Sequence, residues 1–193
     1  MGKSARIILF VLVPLLFLLI ISIPIAIFVI DSNSQKHNSY ITIKNEQYDV
    51  TLTELYLYRM DLSNADIEPL KYMTKITYLY FWDDQISDIS ALSGLTKLTE
   101  LHLFGKQISD ISALSGLTKL TKLHLNGNQI NDISALSGLT KLEWLDLDGN
   151  RISDISALSG LVNLERLYLK NNPLTQTQID ELRKMLPDCD IYY

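Results

Sequence analysis

The chain is poor in the residues that most chemistry needs. It has 193 residues but a single cysteine, Cys189, which excludes an internal disulfide framework, a cysteine zinc site and a CxxC redox pair. Three histidines, His37, His102 and His124, leave little for general acid–base work. Basic residues are in deficit, 17 against 22 acidic ones, so the net charge is −5 and a general nucleic-acid binder is disfavoured. There is no Gly-x-Ser-x-Gly elbow, no phosphate-cradling glycine loop and no His-Glu-x-x-His pair. These absences point away from an enzyme, and no catalytic residue, cofactor site or metal site is expected.

What is plentiful is apolar, and it is unevenly spread. From Ile7 to Ile30 no residue is charged; Lys3 and Arg6 precede the run and a polar segment beginning at Asp31 follows it. As a helix it would reach roughly 36 Å, enough for a hydrocarbon core of about 30 Å with some tilt, and Pro14 and Pro24 are tolerable there. The reading is a cytoplasmic tip and transmembrane signal-anchor over 1–30, a polar linker over 31–39, and a domain over 40–193. The alternative is a cleaved signal peptide and a secreted domain, since Ser32 and Ser34 offer a small-x-small site. Either way, Lys3 and Arg6 place the remainder outside the cytoplasm. That remainder has 15 basic residues against all 22 acidic ones, a net charge of −7, so anionic lipid surfaces should not attract it.

Beyond residue 40 the chain repeats. Gly94, Gly116, Gly138 and Gly160 each follow Leu-Ser at a spacing of 22, and a 14-residue segment beginning Gln-Ile-Ser-Asp recurs unchanged at 85 and 107. Within a unit the apolar places are 1, 4, 6, 11, 14, 17 and 20, as in Leu98, Leu101, Leu103, Ile108, Ile111, Leu114 and Leu117. The alternation at places 4 and 6 suits a short strand with one buried face, and the later spacing of three suits a 3-10 or helical turn. A single coil cannot bury its own apolar edge, so the units must stack into a solenoid. The expected fold is an α/β leucine-rich repeat solenoid: a curved parallel sheet of about seven strands, with short 3-10 or helical turns on the convex side.

Units begin at Leu52, Ile76, Leu98, Leu120, Leu142 and Leu164, the first with two extra residues between Leu62 and Ile67. Leu186-Pro-Asp-Cys189-Asp-Ile191 fits the same frame and predicts a seventh strand with Cys189 in a leucine's place. Thr175 and Gln178 predict a capping box opening a helix that Pro187 stops, and segments 40–43 and 48–52 predict a hairpin over the other end. The pattern Leu-x-x-Leu-x-Leu-x-x-Asn-x-Ile-x-Asp-Ile-x-x-Leu, at Leu120 to Leu136 and Leu142 to Leu158, resembles the 22-residue repeats of bacterial internalin-type surface proteins. The resemblance covers about Leu52 to Ile191 and implies a surface protein whose curved sheet binds another macromolecule. The sequence carries no cell-wall sorting motif, immunoglobulin-like module or long helical cap, so its anchoring is expected to differ from that family's.

Place 9 holds Asn128, Asn150 and Asn172, whose amides should satisfy backbone groups of the turn. The earlier units have Met60, Asp84 and Lys106 there, and looser, water-satisfied turns are expected. Asp88, Asp110, Asp132 and Asp154 recur in step; capping of each short turn is favoured over a calcium ladder.

Function should lie on residues the repeat leaves free. Places 3, 5 and 7 face outward from the strands onto the concave side. They carry Tyr56, Tyr58, Tyr78, Tyr80, Trp82, His102, Phe104, His124, Trp144, Arg166 and Tyr168, the expected partner-binding residues. Exposed apolar area of that extent usually marks a contact site. A protein partner is preferred; a glycan stacked on the rings, a second copy of the chain or a purely structural surface role are the alternatives. His102, His124 and Asp146 share one column, yet adjacent strands about 4.8 Å apart spread them too widely for a zinc site. Partner contact with pH sensitivity near 6 to 7 is the expected role of the two imidazoles.

Overall fold

A computed structural model describes residues 39–82, 85–105 and 107–193. The 1–30 membrane-span reading and almost all of the linker therefore lie outside the described residues. Among the described residues no helix is long and apolar enough to cross a membrane.

The period of 22 becomes one coil per unit. Seven strands, β3 (Glu54–Tyr58), β4 (Tyr78–Trp82), β5 (Glu100–Phe104), β6 (Lys122–His124), β7 (Trp144–Asp146), β8 (Arg166–Tyr168) and β9 (Asp190–Tyr192), form one parallel sheet in sequence order. From β4 to β8 each return path is a short 3-10 turn, at Ser90–Leu92, Ser112–Leu114, Ser134–Leu136 and Ser156–Leu158. The expected apolar places form the core: Leu98, Leu101, Leu103, Ile108, Ile111, Leu114 and Leu117 are all buried. Alternation follows from the pleat, as β3 shows, with Leu55 and Leu57 inside and Glu54, Tyr56 and Tyr58 outside.

Each turn closes through side chains placed by the repeat. Asn150 donates to the carbonyls of Leu125 (3.1 Å) and Leu147 (2.9 Å), and its Oδ1 accepts the Ile130 N–H at 3.1 Å. Asn128 and Asn172 make equivalent bridges. One asparagine thus serves two neighbouring coils. Just before it, Gly127 and Gly149 adopt φ of +72° and +66°, and Asn171 takes the same place at +57°. The turn of the first unit departs from the expected looseness. Met60 packs against the core there, with the Tyr48 hydroxyl 3.9 Å from its sulfur, because the N-terminal hairpin closes over it. Asp84 and Lys106 lie outside the described residues.

The recurring aspartates act on the turns one step from where a helix cap would sit. Oδ1 of Asp88, Asp110, Asp132 and Asp154 accepts the N–H of Ser90, Ser112, Ser134 and Ser156, each at 2.8 Å. The residue between, an isoleucine, occupies the cap position itself. Those bonds hold the Asp110, Asp132 and Asp154 carboxyls below their usual range.

Both ends are capped, with two corrections. The hairpin β1 (Tyr40–Ile43) and β2 (Glu46–Asp49) buries Ile41 and Ile43 against the first coil, and Leu52, expected inside, is left at the rim with 39% exposure. The two extra residues of the first unit are taken up in the four-residue α1 (Asn64–Ile67), opened by a reciprocal Ser63/Asp66 capping box. Lys44 of the hairpin turn reaches Asp66 at 3.3 Å and joins cap to coil. At the far end α2 (Gln176–Met185) begins with the expected Thr175/Gln178 box. This helix takes more chain than a 3-10 turn, so β9 is displaced by two residues from the expected frame: Ile191 pairs with Leu167 and Asp190 with Arg166. Cys189 is consequently a partly buried neighbour of the core and not a strand leucine's equivalent; burial pushes its thiol up to about 11.

Candidate functional site

Strand register brings the predicted residues into three columns on the open face of the sheet. Tyr56, Tyr80, His102 and His124 align across β3 to β6, with Asp146, Tyr168 and Tyr192 continuing the column. Tyr58, Trp82 and Phe104 form the column on one side; Tyr78, Trp144 and Arg166 lie in the column on the other.

These rings touch from end to end of the sheet. Tyr56 and Tyr78 have centroids 5.0 Å apart, Tyr78 and His102 5.4 Å, and His102 and His124 4.2 Å with planes 7° apart. The line continues through His124 and Trp144 (5.8 Å), Trp144 and Tyr168 (5.4 Å) and Tyr168 and Tyr192 (4.7 Å). Tyr58 meets Trp82 edge-on at 5.5 Å, and Trp82 meets Phe104 at 6.0 Å. Arg166 caps the Trp144 ring with its guanidinium carbon 5.0 Å from the centroid. Exposure is graded: Tyr56, Tyr58 and Trp82 are 58%, 47% and 46% exposed, while Tyr78, Tyr80, Phe104, Trp144 and Tyr168 are half-buried among their neighbours. The accessible apolar area is thus densest over β3 and β4. Tyr192 belongs to this surface too, at place 5 opposite Tyr168 and not at the place 7 that the period of 22 gives it, because the helical cap shifts its register.

The polar groups among the rings are tied to one another. His102 Nε2 lies 2.7 Å from Glu100 Oε1, and Lys122 Nζ lies 3.4 Å from Glu100 Oε2. Burial lowers the His102 pKa below 6.5 despite the attraction of Glu100. Burial alone would raise Glu100, but the bonds from His102 and Lys122 outweigh it and hold the carboxyl below its usual range. Tyr78, desolvated and beside Glu100, is pushed up to about 12. Asp148 is raised by burial, with the adjacent Asp146 adding to the shift.

The two imidazoles do not converge on a metal position. Their lone pairs lie in the ring planes, and two stacked parallel planes direct nitrogens alongside one another. Asp146 approaches His124 Nδ1 only to 3.9 Å, far from the ~2 Å a zinc ligand needs. Among the described residues no group of three His, Cys, Asp or Glu could hold a metal ion.

The depressed His102 has a definite sign in stability. The unfolded chain takes up a proton near pH 6.5 before the buried ring does, so stability falls as pH drops from 6.5 through the lowered folded value. Glu100 loses its contribution at lower pH, as the medium falls through its own depressed pKa from about 4.5. His102→Gln should therefore lose less urea stability than the native chain between pH 7 and pH 5. An equal loss in both would show that the ring's burial is not felt.

A family model for leucine-rich repeats, in two copies, matches residues 96–138 and 140–184. Among solved structures, the internalin inlF of Listeria monocytogenes has a TM-score of 0.68 and 36% identity, over 73% of this chain and 41% of that one. Internalin C2 of the same organism has a TM-score of 0.63 and 26% identity, over 76% and 74%. A leucine-rich repeat protein of Leptospira interrogans has a TM-score of 0.68 and 29% identity, over 75% and 38%. The chain thus spans about two fifths of the first and third of these proteins. Comparison with curated proteins gives no match.

Proposed function

Starting from a chain that is a leucine-rich repeat protein of the internalin type, we propose that it binds a protein partner through the aromatic face of its sheet and is anchored in the cell membrane by its N-terminal apolar run, with the repeats outside the cell. Proteins of this type are non-enzymatic interaction scaffolds. The observation that carries the binding reading is the ring-to-ring surface centred on Tyr56, Tyr58, Tyr80, Trp82 and Phe104, whose outermost members stay about half exposed. Seven strands about 4.8 Å apart extend for roughly 30 Å, long enough for one side of a standard interface of about 800 Å². Mixed charges at Glu100, Lys122, Asp146 and Arg166 along the same face suit a protein's polar rim better than a uniform ligand.

A photo-crosslinking residue placed at Tyr80 in the full-length protein on intact cells should trap one protein species, and the same residue at Ser112, on the other side of the coil, should not. Equal products from both positions, or a glycan product from Tyr80, would refute the reading. The anchor has its own check: protease added to intact cells should remove the repeats. Survival of the full-length protein, or a mature N-terminus near Gln35, would refute it.

A further inference from the structure

The repeat also writes a line of like charges, away from the aromatic face. Lys75, Lys97, Lys119 and Lys141 occupy the same place in four successive coils, each immediately before a buried residue, Ile76, Leu98, Leu120 or Leu142. All four are exposed, and among the described residues none forms a close ion pair, though the Asp49 carboxyl of the hairpin, lowered first by the Thr51 bonds, is lowered further by nearby Lys75. Their alignment is enforced by the backbone two residues on. The Thr99 N–H donates to the Thr77 carbonyl and the Thr121 N–H to the Thr99 carbonyl, both at 2.8 Å. Adjacent ammonium groups therefore rise from backbones about 4.8 Å apart, and the line spans about 14 Å over three gaps. Neighbouring lysines repel at that spacing, and a screening length of about 8 Å makes this local sign matter more than the chain's net −5.

The ground beside the lysines is open and polar. Ser93, Ser115 and Ser137 and Thr96, Thr118 and Thr140 are exposed in the same segments. Between them Gly94 and Gly138 have nothing within 4 Å of where a Cβ would sit. At one end the glycine's place is taken by Tyr72, a residue 59% exposed, with Lys71 Nζ over one face of its ring at 5.5 Å from the centroid and the other face left for a ligand. At the other, Asn163 stands where the next lysine would be.

We propose that this strip, Tyr72 with Lys75, Lys97, Lys119 and Lys141, binds an acidic polysaccharide. The carboxylates of such a polymer pair with successive lysines and release the counterions of both. Its hydroxyls meet the serine and threonine hydroxyls, the glycine floor lets the sugar rings lie close, and the apolar face of one ring packs on Tyr72. The tyrosine is what separates this ligand from other polyanions, which have no apolar ring face to offer. The site is independent of the aromatic face of the sheet.

The test uses the full-length protein in mild non-ionic detergent with three probes: polygalacturonate, polyglutamate and neutral dextran. Polygalacturonate should bind at low salt and weaken steeply as salt rises, and dextran should not bind. The triple variant K97Q/K119Q/K141Q should lose at least tenfold in affinity. Tyr72→Ala should weaken polygalacturonate several-fold without changing polyglutamate, and Trp82→Ala should change neither. No binding of polygalacturonate by the native chain, or unchanged binding by the triple variant, would overturn the proposal. Equal binding of polyglutamate with Tyr72→Ala silent would also overturn it, by showing an unselective line of charge. None of these outcomes bears on the crosslinking from Tyr80.

Discussion

Asn150→Ala is expected to destabilise the solenoid by about 1 to 3 kcal/mol, approaching the effect of a hole in the core. Asn150 is 6% exposed and serves four backbone groups in two coils, the Leu125, Leu147 and, more distantly, Asp148 carbonyls and the Ile130 N–H. Removal leaves the buried Ile130 N–H unpaired, at roughly 1 to 3 kcal/mol for a group that water cannot reach, while the Leu125 and Leu147 carbonyls each lose one of two donors and keep Asn128 and Asn172. Because the loss is of hydrogen bonds and not of volume, Asn150→Leu should not rescue. Asn172→Ala should cost less, since that residue is partly exposed at the C-terminal cap and water can substitute. Leu145→Ala supplies the reference: the side chain is fully buried between rungs, and its loss should cost about 2 to 5 kcal/mol. Urea unfolding of the four variants orders them. If Asn150→Ala costs no more than Asn172→Ala, the bridging role is wrong.

Trp82→Ala should weaken partner binding by about 2 kcal/mol, close to thirtyfold, with little change in stability. Trp82 stands 46% exposed against Tyr58 and Phe104, and its truncation opens no void in the core beneath. Tyr56→Ala and Tyr58→Ala should follow it, since both are more accessible than Tyr168 or Trp144 at the other end of the face. Arg166→Ala should act differently. It uncovers the Trp144 ring and removes a charge, so its loss should depend on salt where that of Trp82 does not. Ser112→Ala on the opposite side of the coil is the control. Equal affinities for Trp82→Ala and Ser112→Ala, both folded, would remove the open face as the site.

How much of this was legible in advance depends on the distance over which each feature is decided. The core columns, the seven strands, the asparagine bridges and the Thr175/Gln178 box all repeat or sit within four residues, so spacing alone reveals them. The capping box of Ser63 and Asp66 was equally local but lay inside the two-residue insertion, where the period no longer guides the eye. Asn64 was not legible: its Oδ1 accepts the N–H groups of Ser87 and Asp88, more than twenty residues away. The outward aromatics could be named from the pleat, but not their gradation. Tyr78 and Tyr80 are half-covered by rings contributed by the next coil, a fact that belongs to the stack.

The amino-acid sequence by itself determined the solenoid, because a period of 22 with one buried stripe has only stacking as a way to leave water. It also determined which side chains the sheet turns outward. Tertiary structure alone decided the register of β9, where α2 uses more chain than the turn it replaces. It decided the end of the core as well, where the hairpin covers Met60 and leaves Leu52 at the rim. The charge state of the central face was settled there too, through the burial that depresses His102 and the bonds from His102 and Lys122 that hold Glu100 ionised. In each case the deciding term is a contact between coils or with a cap, and periodicity within one unit carries no information about it.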